Sequence, residues 1–184
     1  MSAAELRELV ASLARQHAET EAAVKQTTRE VREVGRQIGY LGNKFGSFTE
    51  GLAFESVDKI LRKRFHVDSI VHRSKVFRGD HAEEYDALGL RNGAHNEVYC
   101  VEIKILLNHE ELNKSLRKFR NFFELHPQYR GMTLYGIIAA VDVRGALADR
   151  VAHEGLYLAT AGDENFKLVK PKPGFAPKAF TSKK

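Results

Sequence analysis

Ala3, Leu6, Val10, Leu13, His17, Thr20, Val24, Thr27, Val31, Val34, Ile38 and Leu41 follow one another at alternating intervals of three and four. Mostly Arg, Glu, Lys and Gln stand between them. This spacing is a heptad seam. A seam two positions wide in seven is narrower than the stripe of a helix packed on a globular core. Residues 1–41 are therefore predicted to form a long coiled-coil oligomerisation helix that pairs with itself as a dimer or higher assembly. His17, Thr20 and Thr27 weaken the middle of the seam. The same pattern also allows one long helix folded back on its own domain.

Gly42 and Gly46 are expected to end that helix. A second begins in GSFTEGLAFESVDKILRKRF, where Phe48, Leu52, Val57, Ile60 and Leu61 recur at helical spacing. Ser47 suits an N-cap, and Glu50, three residues on, occupies the capping-box position. VDSIVHRSKVF then reads as a strand, and EYDALGL and EVYCVEIK as two strands joined by a turn at RNGAHN. HEELNKSLRKFRNFFELHP is helical. Leu112, Leu116, Phe119 and Phe123 form its apolar stripe, Lys114, Arg117, Lys118 and Arg120 cluster on the remainder, and Pro127 ends it. LYGIIAAVDV lacks alternation, as a strand covered on both faces should. A further helix in RGALADRVAHEGL and a last strand or hairpin in LYLATAGDENFKLV complete an α/β pattern: a mixed sheet flanked by helices and preceded by the long N-terminal coiled-coil helix.

Composition narrows the setting. At 184 residues, 43% hydrophobic and 29% charged, the chain suits one globular domain with an appendage. No apolar run reaches the length of a membrane span, and the Met-Ser-Ala-Ala-Glu start lacks signal-peptide features, so a soluble, cytoplasmic protein without a membrane partner is expected. The single cysteine, Cys100, lies in an apolar strand and reads as a small buried hydrophobe. Of the net charge of +5, the residues after Phe166 supply six lysines and no acid. The rest of the chain holds 23 bases against 24 acids. PKPGFAPKAFTSKK looks disordered. The expected organisation is thus 1–41 coiled coil, 42–170 globular domain and 171–184 basic tail.

The strand VYCVEIK carries the candidate chemistry. Glu102 and Lys104 share one face, with Ile103 on the other. In a hairpin turning at Asn92 and Gly93, Asp86 can lie beside Glu102. Two adjacent carboxylates repel unless a proton, a lysine or a cation neutralises them, and hard divalent cations prefer such oxygen ligands. A metal there would polarise a phosphate oxygen and acidify a water that Lys104 could orient. A structural ion-pair triad is the other reading of the same residues. His66, His72, His81, His95, His109, His126 and His153 show no i, i+4 pair, so no zinc site is expected. Neither a P-loop nor a Gly-X-Ser-X-Gly elbow occurs, which removes NTP-driven motors and serine hydrolases from the candidates.

With Glu50 on a helix, Asp86 on one strand and Glu102-Ile103-Lys104 on the next, the chain resembles the PD-(D/E)XK phosphodiesterase superfamily, whose fold is restriction-endonuclease-like. It is similar to a short prokaryotic subgroup that has a coiled coil, a Gly-X-X-X-Glu helix start (Gly46 to Glu50), a strand like EYDALGL, a Glu-X-Lys strand and a following basic helix. The likeness covers about residues 40 to 170. Tyr85 replaces the name-giving proline. The resemblance implies a Mg²⁺- or Mn²⁺-dependent endonuclease acting on DNA, with Glu50, Asp86, Glu102 and Lys104 catalytic. Asp86, Glu102, the Ile103 carbonyl and Glu50 would hold the metal, and Glu55 is the fallback helix acid. Lys114, Arg117, Lys118 and Arg120 are then expected to track the nucleic-acid backbone. A nuclease-fold module that binds without efficient cutting, and an oligomeric scaffold, are the competing classes.

Overall fold

A computed structural model describes the backbone of residues 3–79, 81–162 and 165–182. It describes the side chains from Ala53 onward apart from His81, and most of those between Leu13 and Arg36. The chain divides into two units, Met1–Ser47 and Phe48–Lys184. The first is helical throughout its described length. Helix α1 (Ala3–Arg64) carries on through Gly42 and Gly46, so the expected break and the helix start at Ser47 are corrected. A glycine lowers helix stability by about 1 kcal/mol relative to alanine, but unlike proline it keeps every backbone donor.

The second unit is built on a six-stranded mixed sheet whose spatial order equals its chain order. Strands β1 (Ser69–Arg78), β2 (His81–Arg91) and β3 (Glu97–Leu107) form an antiparallel meander. Helix α2 (His109–Leu125) then crosses to β4 (Thr133–Val143), which lies parallel to β3. Helix α3 (Leu147–His153) crosses to β5 (Tyr157–Ala161), parallel to β4, and β6 (Phe166–Leu168) returns antiparallel. The mixed sheet and the hairpin read from the sequence are both present.

Each face of the sheet has its own core. On one face Phe119 and Phe122 of α2 and Val151 of α3 meet Leu88, Cys100, Leu134 and Ile138. On the other, Ala53, Val57 and Leu61 of α1 meet Ala87, Tyr99, Val101 and Ile137. Burial of each large apolar side chain contributes about 1.5–3 kcal/mol. Covering both faces explains why Ile137 to Ala140 are all buried and why the sequence there does not alternate. Gly136 leaves room for the helix to lie against the sheet: a Cβ there would lie 2.6 Å from the Phe119 ring.

The described part of the tail is tied to the domain at Lys178 and Phe180. Phe180 is buried beside Phe119 and exchanges two 2.9 Å backbone hydrogen bonds with Leu134, and the Lys178 amide donates to the Gly155 carbonyl at 2.9 Å. Proline and glycine preclude a helix, yet they leave an extended segment free to anchor through one aromatic side chain.

Candidate active site

The hairpin register brings the two candidate carboxylates together. Leu88 pairs with Cys100 and Ala87 with Val101; carried one step further, the register sets Asp86 against Glu102. The ladder stops at that step. Instead, the Asp86 carboxylate accepts the Ile103 amide at 2.7 Å. A second irregularity coincides with it. The β1–β2 pairs run His72 with Ala87 and Ser74 with Tyr85, passing over Arg73, whose φ is +50°. Tyr85 and Leu88, three residues apart, contribute to the same core, so strict alternation is interrupted between them, while the register is the same on both sides and Arg73 stands opposite Asp86. This local break accompanies the turn of the Asp86 side chain toward the β3 backbone.

Glu102 is fully buried. Two lysines neutralise it. The Lys118 ammonium donates to both carboxylate oxygens, at 3.0 and 2.9 Å, and to the Glu84 carbonyl at 2.5 Å. Lys104 lies 3.3 Å from Glu102 and 3.4 Å from Glu111. Burial pushes the Glu102 carboxyl above its ordinary value and the Asp86 charge adds to this; Lys118 and Lys104 oppose the rise without cancelling it. Burial works to lower the Lys118 pKa, but Glu102, Asp86 and Glu83 together raise it. Both directions hold because the ammonium faces several acids, whereas Glu102 also faces another carboxylate.

Lys118 therefore corrects the sequence expectation that placed it on the exposed basic face. Glu111, Ser115, Lys118 and Phe122 form one ridge of α2, and Ser115 and Phe122 are buried. That periodicity was legible in the sequence and is the signal for Lys118. Asn108 fixes where the ridge begins by accepting the Glu111 amide at 2.9 Å as an N-cap. Lys114 is spent largely on its own helix, paired with Glu110 at 2.8 Å and Glu111 at 2.9 Å. Arg117 and Arg120 are exposed.

The Glu50 side chain lies outside the described residues. Glu55, the fallback, is exposed and paired with Lys59 at 2.7 Å, a surface pair that pulls its pKa down. Among the described residues no three His, Cys, Asp or Glu side chains converge as a metal cluster. Next to the carboxylates, Tyr85 packs against Phe122 and His126, and Lys118 stands 5.5 Å over its ring. The Tyr85 hydroxyl and His126 Nδ1 are buried without hydrogen-bond partners among the described residues. Burial raises the tyrosine pKa and lowers that of the histidine, which favours the neutral form of both.

The donor chemistry fits a hard divalent cation in part. Two carboxylates at one place, one of them ionising reluctantly because of its burial and of the other's charge, call for positive charge. Lys118 supplies that charge in this structure. No family model, no curated protein and no solved structure matches the chain.

Proposed function

We propose that the chain is a metal-dependent nuclease that hydrolyses phosphodiester bonds in DNA. The observation that carries this reading is the placing of Asp86, Glu102 and Lys104 at the open end of the β2–β3 ladder, with Asp86 fixed by the Ile103 amide. The order of helix, antiparallel meander, crossover helix and parallel strand supports a restriction-endonuclease-like fold.

Asp86 and Glu102, with the Ile103 carbonyl and the Glu50 carboxyl, are the residues that would hold Mg²⁺ or Mn²⁺. When bound, the metal supplies Lewis-acid polarisation of a phosphate oxygen and a more acidic water. Lys104, held between Glu102 and Glu111 and partly exposed, would orient the attacking water and assist its deprotonation. Arg117 and Arg120 receive the flanking phosphates. Lys118 favours the ionised form of Glu102, against the burial that disfavours it.

A second reading draws on one observation. The Lys118 ammonium already satisfies both oxygens of Glu102, as in a purely structural pair, which favours a module that binds nucleic acid without cutting it. Incubating the full-length protein with labelled DNA in Mg²⁺ or in EDTA separates the two: the nuclease reading requires cleavage in Mg²⁺ alone.

A further inference from the structure

The seam of α1 has chemistry specific enough to define its occupant. Ala3, Val10, His17, Val24, Val31 and Ile38 take the first heptad position, a, and Leu6, Leu13, Thr20, Thr27, Val34 and Leu41 the fourth, d. Along it Leu13, Val24, Val31 and Val34 are 55%, 59%, 64% and 53% exposed. β-branched side chains at a with leucine at d favour two parallel strands. Here four of six a residues are β-branched and three of six d residues are leucine, Val34 being the apolar exception at d.

The flanking positions agree. In a parallel pair each g residue meets the e residue five positions on in the other chain. These meetings are Leu9 with Ala14, Gln16 with Glu21, Ala23 with Thr28 and Glu30 with Gly35, none of which opposes like charges.

We propose that this seam docks a second copy of the chain, parallel and in register, as a two-stranded coiled coil in which His17 faces the partner's His17. Residues at a meet their own equivalents across such a dimer, so this layer holds two imidazoles in contact. Leu13, Gln16 and Thr20, which border the layer, are uncharged. Arg15 and Glu19 occupy positions off the seam. Glu21, one turn on, is the nearby carboxylate, and it is engaged by Lys25 at 2.7 Å. Burying the layer therefore makes a charged imidazole costly there. The dimer is expected to weaken in acid, because protonation sets two desolvated positive charges against each other.

Light scattering and sedimentation on the full-length protein test this. The expected results are a dimer at about pH 7.5, a dissociation constant at least roughly tenfold weaker near pH 5.5, and a His17→Val variant whose dimer shows no such weakening. Ser2→Cys supplies the orientation: parallel chains oxidise to a cross-linked dimer, whereas antiparallel helices hold those ends about 60 Å apart. Cys100 is buried and does not compete. A monomer at tens of micromolar, a trimer or tetramer, an absence of Ser2→Cys cross-linking, or a His17→Val dimer that keeps the acid response would each overturn the proposal. The outcome does not depend on whether the protein cuts DNA.

Discussion

The Lys118 ammonium lies within 3.0 Å of both carboxylate oxygens of Glu102, and that contact joins helix α2 to strand β3 at the place where Asp86 leaves the ladder. Lys118→Met preserves most of the packed volume and removes the charge. Glu102 then loses its nearest counter-ion, which is expected to destabilise the apo protein by about 2–3 kcal/mol at neutral pH. This is a reduced form of the cost of breaking a fully buried pair, since Lys118 is partly exposed. The loss should shrink as pH falls and Glu102 takes up a proton, and shrink again on adding Mg²⁺. Thermal unfolding with and without the metal reads all three.

Asp86→Asn keeps an oxygen to accept the Ile103 amide while removing the charge that raises the Glu102 pKa. The expected variant is as stable as the parent or slightly more so, with metal affinity reduced at least roughly tenfold. Calorimetric titration with Mn²⁺ checks it, and an unchanged isotherm would remove Asp86 from the ligand set.

Metal affinity should depend on pH in a range set by Glu102. A carboxyl whose folded pKa is raised above its ordinary value makes its full contribution to stability below the unfolded pKa and loses it as pH rises through the folded one. Metal binding relieves that penalty and competes with the proton. Affinity is therefore expected to increase as pH rises past the ordinary carboxylate range and to level off once Glu102 is ionised. Titrations at successive pH values would show the plateau; a profile already flat from the ordinary carboxylate range upward would contradict it.

Gly136→Ala tests the packing that positions α2. The new methyl meets Phe119 at 2.6 Å and Leu156 at 2.8 Å, a clash expected to destabilise the domain by about 1–3 kcal/mol in denaturant unfolding. Because α2 carries Lys118, a shift of the helix should also disturb the Glu102 pair.

The sequence made the hairpin legible because Asn92 and Gly93 mark the turn and the apolar runs on each side share a register. From these the meeting of Asp86 with Glu102 followed. Lys118 was misplaced because its four-residue neighbourhood is basic, and charge clustering outweighed the helical ridge it shares with Ser115 and Phe122. The seating of Phe180 was hidden for a different reason: it depends on a gap left by elements far away in sequence, with Leu134 and Phe119 as its walls. The continuity of α1 was missed because glycine was given the force of a proline.

The central claim is that Lys104, beside Asp86 and Glu102, serves cleavage rather than binding. The most direct measurement compares the parent and Lys104→Ala on one labelled DNA in Mg²⁺, with binding followed in parallel. The account predicts cleavage by the parent that EDTA abolishes, a rate for the variant lower by roughly 10²–10⁴-fold, and nearly equal DNA affinity for both. No cleavage by the parent in Mg²⁺ or Mn²⁺, or a variant that cuts at the parental rate, would contradict it.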